Sequence, residues 1–97
     1  MKVQNFINNS GRTVPNQFII QGDNGRLFQS YDSAIALIDK DNVVHLSQHW
    51  DYSTTTGKYR NQFLNEDKKA TEKKIKQGVY KMDLCLNGDL INEDFTQ

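Results

Sequence analysis

Hydrophobic positions come in short runs with a β-type rhythm over the first half of the chain. They shift to helical spacing beyond residue 53. The opening stretch, Met1 to Val14, alternates only weakly, through Val3, Phe6 and Ile7. Ser10-Gly11-Arg12 reads as a turn, and Pro15 favours an extended Val14. Phe18-Ile19-Ile20-Gln21 and Arg26-Leu27-Phe28-Gln29-Ser30-Tyr31 flank Gly22-Asp23-Asn24-Gly25. Asn-Gly tolerates the positive φ of a tight turn, so this segment predicts a β-hairpin. Tyr31-Asp32-Ser33 breaks the chain before Ala34-Ile35-Ala36-Leu37-Ile38, which is apolar throughout and bounded by turn residues. That run predicts a central strand buried on both faces. After the polar turn Asp39-Lys40-Asp41-Asn42, Val43-Val44-His45-Leu46 predicts the next strand. Four antiparallel strands in a meander account for this half.

Asp51, Ser53 and Thr54 are candidate N-caps. Thr55, Tyr59 and Phe63 then share one helical face, with Thr56, Arg60 and Leu64 beside it, which predicts a helix near residues 54–65. Gly57 weakens a helix interior and argues for a later start. Asn65-Glu66-Asp67 reads as a stop or as the cap of a second helix, Lys68 to Gln77, ended by Gly78. That helix is basic and solvated, with Ala70 and Ile75 as its apolar residues. From Val79 to Leu86 the pattern alternates again. Tyr80, Met82, Leu84 and Leu86 fall on one side, which predicts a half-buried strand. Asn87-Gly88 is a further turn signal, and the acidic residues 89–97 predict a fraying tail. The expected fold is one α+β domain over residues 1–97. A small antiparallel sheet of four to five strands packs on one main helix, with a short basic helix beside it.

Composition narrows the functional classes. The chain has 97 residues, 36% of them hydrophobic and 25% charged, with a formal net charge of zero; as a whole it is not a generic polyanion binder. One cysteine, Cys85, excludes a disulfide within the chain and fits a reducing compartment. The first residues lack the apolar core of a signal peptide, and Ala34 to Ile38 is far too short to cross a bilayer. A cytoplasmic protein without membrane contact is expected.

Residues able to do chemistry do not converge in sequence. His45 and His49 are four apart, a spacing that suits a metal only on a helix; they fall in a strand and a loop. Cys85 has no neighbouring motif that would make it a nucleophile, and a lone cysteine in an alternating strand is usually a packing residue. The carboxylates Asp39, Asp41, Asp51, Glu66 and Asp67 form no acid/base pair. Asp23-Asn24-Gly25 is too short for a calcium loop, and the glycines match no phosphate-binding fingerprint. No catalytic residue, metal or cofactor is expected, and the chain reads as a non-enzyme.

Charge is distributed unevenly. Residues 58–82 hold eight Lys or Arg against three Asp or Glu, a net of +5, and residues 83–97 carry −4. Lys69, Lys73 and Lys76 share one helical face, flanked by Lys68 and Lys74. These five lysines are the candidate nucleic-acid contacts, with a merely solvated helix face as the plainer reading. The most distinctive stretch is Trp50-Asp51-Tyr52-Ser53-Thr54-Thr55-Thr56. Trp50, Tyr52, Tyr59 and Arg60 are candidate partner contacts, because aromatic and guanidinium groups dominate interface hot spots. The structural alternative is that Trp50 closes the end of the sheet while Ser and Thr cap the helix.

Leu27-Phe28-Gln29-Ser30-Tyr31, Ile35 to Ile38, Trp50-Asp51-Tyr52-Ser53, Thr55-Thr56-Gly57-Lys58-Tyr59, Phe63-Leu64 and Thr71 to Tyr80 together carry a resemblance. Across residues 27–80 the chain resembles an uncharacterised family of small proteins encoded by bacteriophages and other mobile elements. The N-terminal segment and the acidic tail fall outside it. The resemblance implies a bacterial host cytoplasm and transfers no catalytic residue. Small phage proteins of this kind often inhibit or redirect host machinery, anti-defence roles included. The expected function is therefore a non-enzymatic binding protein acting on a host macromolecule, with an anti-CRISPR-like role as one concrete form. The alternatives are a nucleic-acid-binding accessory protein using the basic helix, and a small homo-oligomer formed through Ala34 to Ile38 or a sheet edge.

Overall fold

The computed structural model describes residues 2–23 and 25–84. Five strands form one antiparallel sheet in chain order: β1 (Lys2–Ile7), β2 (Thr13–Gly22), β3 (Gly25–Ser30), β4 (Ser33–Asp39) and β5 (Val44–Leu46). Two helices follow, α1 (Thr54–Leu64) and α2 (Lys68–Lys76). The expected α+β meander is present, with one more strand at its start.

That strand, β1, pairs with β2 through a bulge that carries the partner of Asn5, Phe18, directly to the partner of Phe6, Val14. Pro15 and Asn16 lie in the skipped stretch, where a missing N–H disturbs no ladder bond and where Asn16 takes φ 64°. The bulge hides the period-two signal in both strands, so β2 begins at Thr13 rather than Phe18.

Cross-strand register explains the unbroken apolar run in β4. Ile19, Phe28, Ala36 and Leu46 are successive partners in one row across β2 to β5. Ile20, Leu27, Leu37 and His45 form the adjacent row, whose side chains point to the opposite face. Phe28, Ala36 and Leu46 belong to the larger core, against which Tyr59, Phe63 and Leu64 of α1 and Ile75 of α2 pack. Ile20, Leu27 and Ala34 form a second cluster with Leu84. Strand β4 is thus covered on both sides. Ala34 to Ala36 are buried, while Leu37 and Ile38 are half-buried.

Hairpin β2–β3 closes at Gly25, whose φ is 144°. A Cβ there would collide with the carbonyl oxygen of Ile38 on the neighbouring strand β4, so only glycine permits β3 to begin at this register. Asn24 and the turn signal at Asn87-Gly88, like Cys85 and the acidic stretch 89–97, lie outside the described residues.

Ser53 caps α1, accepting from the Thr56 amide at 3.1 Å. The helix starts at Thr54 despite Gly57, its first turn fixed by the Ser53 cap, and the glycine lies beside the Arg60 guanidinium. Asn65 ends α1 in the left-handed conformation, and Asp67 caps α2. The alternating strand expected from Val79 is corrected: residues 79–84 make only a single parallel bridge, Lys81 to His45. Lys81 N donates to Val44 O, Leu46 N to Lys81 O and Leu84 N to Leu46 O, so the segment lies along β5. Tyr80 enters the larger core and Leu84 the smaller one, on opposite faces, while Met82 is exposed. A chain leaving α2 crosses the end of the sheet here, which overrides strand periodicity.

Candidate functional site

The loop from Ser47 to Ser53 joins β5 to α1 and carries most of the distinctive residues. Its path is set by backbone and hydroxyl bonds. Ser47 Oγ donates to Ala34 O, Ser47 N to Ile35 O at 3.1 Å, and Trp50 N to Ser47 O at 3.1 Å. Arg60 locks the far end from inside. One guanidinium nitrogen donates to Trp50 O at 2.7 Å and to Asp51 Oδ1 at 3.2 Å; the other donates to Asn61 Oδ1 at 2.8 Å. The guanidinium carbon lies 5.1 Å from the Trp50 ring centroid, a cation–π stack. Arg60 is 1% exposed.

The four aromatic and guanidinium candidates therefore separate. Arg60 is corrected from a surface contact to a buried bracket: both terminal guanidinium nitrogens are bonded to protein, and only Nε has no acceptor among the described residues. Tyr59 leans on Phe6 at 5.4 Å in the core, and Trp50 is half-buried against the same cluster, as the structural alternative for Trp50 requires. Tyr52 stays out, 68% exposed, its ring 4.8 Å from that of His49.

Tyr52 has a companion that sequence reasoning passed over. Tyr31, 57% exposed, sits in the two-residue turn between β3 and β4 with φ 54°. A tyrosine in the left-handed region is costly, by about 1–2 kcal/mol. It is held there at both ends: Tyr31 N donates to Asn16 O at 2.7 Å, and Gln29 Nε2 donates to Tyr31 O at 2.7 Å. Tyr31 and Tyr52 flank a cleft of about 400 Å³ lined also by Ser30, Asp32, Ser33 and Ile35. The signal in the sequence was an aromatic residue standing where a turn normally carries glycine or asparagine.

Across the same loop, Asp51 and Ser53 line a separate groove of about 600 Å³ with Thr54, Gly57, Lys58, Arg60, Asn61 and Lys68. Lys68 donates to Asp51 Oδ2 at 2.7 Å; that bond, helped by Arg60, outweighs the burial that would raise the Asp51 carboxyl and holds it below the usual carboxylate range.

The five lysines also divide. Lys68 is tied to Asp51, and Lys74 donates to Glu66 Oε1 at 2.7 Å. Tyr80 OH donates to the same Glu66 oxygen at 2.7 Å, and Thr71 Oγ1 to the other at 2.6 Å. Burial would raise the Glu66 carboxyl, but these donors together hold it below its ordinary value. This network anchors α2 to the segment that follows it, so Lys74 is structural. Lys69, Lys73 and Lys76 are exposed and make no ion pair among the described residues.

His45 and His49 part company too. Among the described residues no group of three or more His, Cys, Asp or Glu is placed to hold a metal ion. His45 Nε2 lies 2.8 Å from Asp39 Oδ2, and its Nδ1 lies 2.7 Å from Asp83 Oδ1. Opposite ring nitrogens face the two carboxylates, and only the imidazolium donates to both. Burial pulls the His45 pKa down, yet the two carboxylates outweigh it and hold the ring above its ordinary value. The clasp therefore contributes fully below about pH 6.5 and is lost as pH rises through the raised folded value. Asp39 is opposed by burial and held low by His45 and two backbone amides. Its contribution is present above about pH 3.8 and is lost as pH falls through its lowered value. The expected result is an NMR titration of His45 with a midpoint above 6.5, moved down by Asp83→Asn. Exchange of the Lys81 and Leu84 amides should quicken as pH rises through that midpoint. A midpoint unmoved by Asp83→Asn would remove Asp83 from the clasp.

No helix among the described residues is long and apolar enough to cross a membrane. A family model described as a family of unknown function (DUF8033) matches residues 1–79. The match takes in the N-terminal strands that the resemblance left outside. No curated protein and no solved structure matches the chain.

Proposed function

The chain belongs to that family of unknown function, which brings no activity with it, and we propose from its surface that it is a non-enzymatic binding protein. Its partner on this reading is a host protein, and its origin a bacteriophage or other mobile element working in the bacterial cytoplasm. The motif-level likeness through Phe28 to Tyr31, Trp50 to Tyr59 and Phe63-Leu64 supports that origin. An anti-defence role, an anti-CRISPR activity among them, is its most concrete form.

One observation carries the reading: two exposed tyrosines, one in a costly backbone conformation, flank a single cleft. Large, rigid side chains with a polar tip are the usual anchors of protein interfaces, and strained residues persist where the surroundings over-determine them. The two tyrosine rings suit an apolar side chain of the partner, and Asp32 and the Ser33 hydroxyl at the rim suit its backbone. The nearest approach to a nucleophile–base pair is Ser33 Oγ, 3.4 Å from His49 Nδ1; the contact is long and no hydrogen bond among the described residues orients the other ring nitrogen, so binding rather than catalysis is proposed.

The test is a pull-down from nuclease-treated bacterial lysate with the wild type and with Tyr31→Gly/Tyr52→Ala. Glycine relieves the strained φ, so the double variant should melt within about 1–2 °C of the parent or above it. A protein retained by the parent and reduced at least about tenfold by the variant supports the cleft, tenfold being about 1.4 kcal/mol. Undiminished retention would move the partner surface elsewhere. Loss of all retained material on nuclease treatment would favour the nucleic-acid alternative.

A further inference from the structure

We propose that the groove on the other side of the 51–53 loop is a phosphate-binding site, distinct from the tyrosine cleft and independent of it. Its ligand is a phosphate group on a nucleotide or in a nucleic-acid strand.

Charge supplies the first argument. Lys58, Arg60 and Lys68 line the groove against a single carboxylate, Asp51. Asp51 spends its two oxygens orienting two of those cations, accepting from Arg60 at one and from Lys68 at the other. The lining therefore keeps two positive charges in excess, and two of the three cations are pre-positioned. Preorganised cations lose less freedom when they take up an anion.

Backbone supplies the second. The N-terminus of α1 opens here through Ser53, Thr54 and Gly57. The cap is a neutral serine, and no acidic residue lies in the first turn, so nothing on the helix offsets its positive end. Ser53 satisfies the Thr56 amide, and the Gly57 amide closes on Ser53 O. The amides of Thr54 and Thr55 are the remaining donors of that turn, with no acceptor among the described residues. Helix ends of this kind bind phosphates. α2 differs: its cap is the Asp67 carboxylate, so its own terminus is already neutralised.

The third argument is Arg60 itself. It is 99% withdrawn from solvent, it lines the groove, and its Nε has no acceptor among the described residues. A buried guanidinium N–H left without an acceptor is uncommon, and an anion oxygen drawn into the groove would supply one. The Asn61 amide adds a neutral donor on the same wall.

The groove, at about 600 Å³, is larger than one phosphate needs. Both sources of the group therefore belong in the experiment. ¹⁵N-labelled full-length protein is titrated at low salt with inorganic phosphate, with ATP and with a single-stranded ten-nucleotide oligothymidylate. Amide shifts should centre on Thr54, Thr55 and Gly57, with the Arg60 Nε–H moving as well. Lys58→Glu/Lys68→Glu, two changes at exposed positions, should weaken ATP or oligonucleotide binding at least tenfold while the amide spectrum stays native. Lys69→Glu/Lys73→Glu/Lys76→Glu should leave ATP affinity within about twofold, since those side chains do not line the groove. If the oligonucleotide binds more than tenfold tighter than ATP, the ligand is a strand; similar affinities identify a nucleotide. Absence of shifts at Thr54, Thr55 and Gly57 with all three probes would overturn the proposal. So would binding that survives Lys58→Glu/Lys68→Glu. Neither result touches the tyrosine cleft, whose variants lie outside this groove.

Discussion

Phe28→Ala is expected to cost about 3–5 kcal/mol, the range for removing a fully buried aromatic ring. Phe28 is 0% exposed and sits at the centre of the row Ile19, Phe28, Ala36, Leu46. Its ring meets Phe6 at 5.5 Å edge-on and Phe63 of α1 at 5.7 Å, so it joins the edge strand, a central strand and the main helix. Ala36 opposite it is too small to fill the void, and the flanking rings are held by their own contacts. Collapse into the cavity is therefore limited, and the cost should fall at the upper end of that range. A domain of this size has about 5–15 kcal/mol of stability in all. Thermal melting should drop by about 4–8 °C for each kcal/mol lost. Phe28→Leu, which keeps most of the volume, should recover more than half of the loss. A Phe28→Ala melting temperature within about 5 °C of the parent would show that α1 is not docked through this residue.

The same row explains which parts of the fold were legible from sequence. Ala34 to Ile38 declared a strand buried on both faces because helices cover one side and the Leu27 cluster the other. Asn65 to Asp67 and Gly78 punctuated the helices correctly, since caps act through local backbone geometry that sequence records directly. β1 was obscured because its alternation depends on a bulge opposite Pro15, and a register shift leaves no periodic trace. Val79 to Leu84 misled for the opposite reason. Its alternation is real, but Tyr80 and Leu84 serve two different cores as the chain rounds the end of the sheet.

The site was legible as a location and not as a set of contacts. Trp50 to Thr56 marked the loop that the proposed cleft and groove flank on its two sides. What composition could not resolve was which side chains turn inward. Helical spacing put Tyr59 and Arg60 on the packing side of α1, but a tyrosine and an arginine there read equally well as partner contacts; they face Phe6 and Trp50 while Lys58 faces solvent. Tyr31 was read as the end of a strand and the start of a turn but not as a contact residue, because its exposure depends on a left-handed turn held by Asn16, fifteen positions earlier. The lysine stripe lost Lys68 and Lys74 to partners, Asp51 and Glu66, that helical-wheel reasoning about α2 alone does not include.

Asp51→Ala is expected to destabilise the protein by about 2–3 kcal/mol, through what it leaves behind rather than through the bond it removes. Arg60 is 1% exposed, and Asp51 is its only ion-pair partner among the described residues. Without that carboxylate the guanidinium keeps Trp50 O, Asn61 Oδ1 and the Trp50 ring, none of which carries a charge. An uncompensated buried charge costs about 3–5 kcal/mol when fully enclosed. Asp51 is 36% exposed, so water can take part of its place, and the expected loss is lower. Arg60→Met keeps the side-chain length against Gly57 and Trp50 and removes the charge altogether, so it should cost less than Asp51→Ala. The double variant should then be no less stable than Arg60→Met alone, a coupling of at least about 1 kcal/mol in a denaturant-melt cycle. Acid should reproduce the effect. Asp51 is held low first by Lys68 and then by Arg60, so its contribution is present above about pH 3.8 and is lost as pH falls through the lowered folded value. The parent should converge on Asp51→Ala in that window, whereas Arg60→Met should lose less stability there than the parent does. Strict additivity of the two substitutions would mean that the Trp50 carbonyl and ring hold Arg60 without help, and that Asp51 serves only Lys68 and the groove.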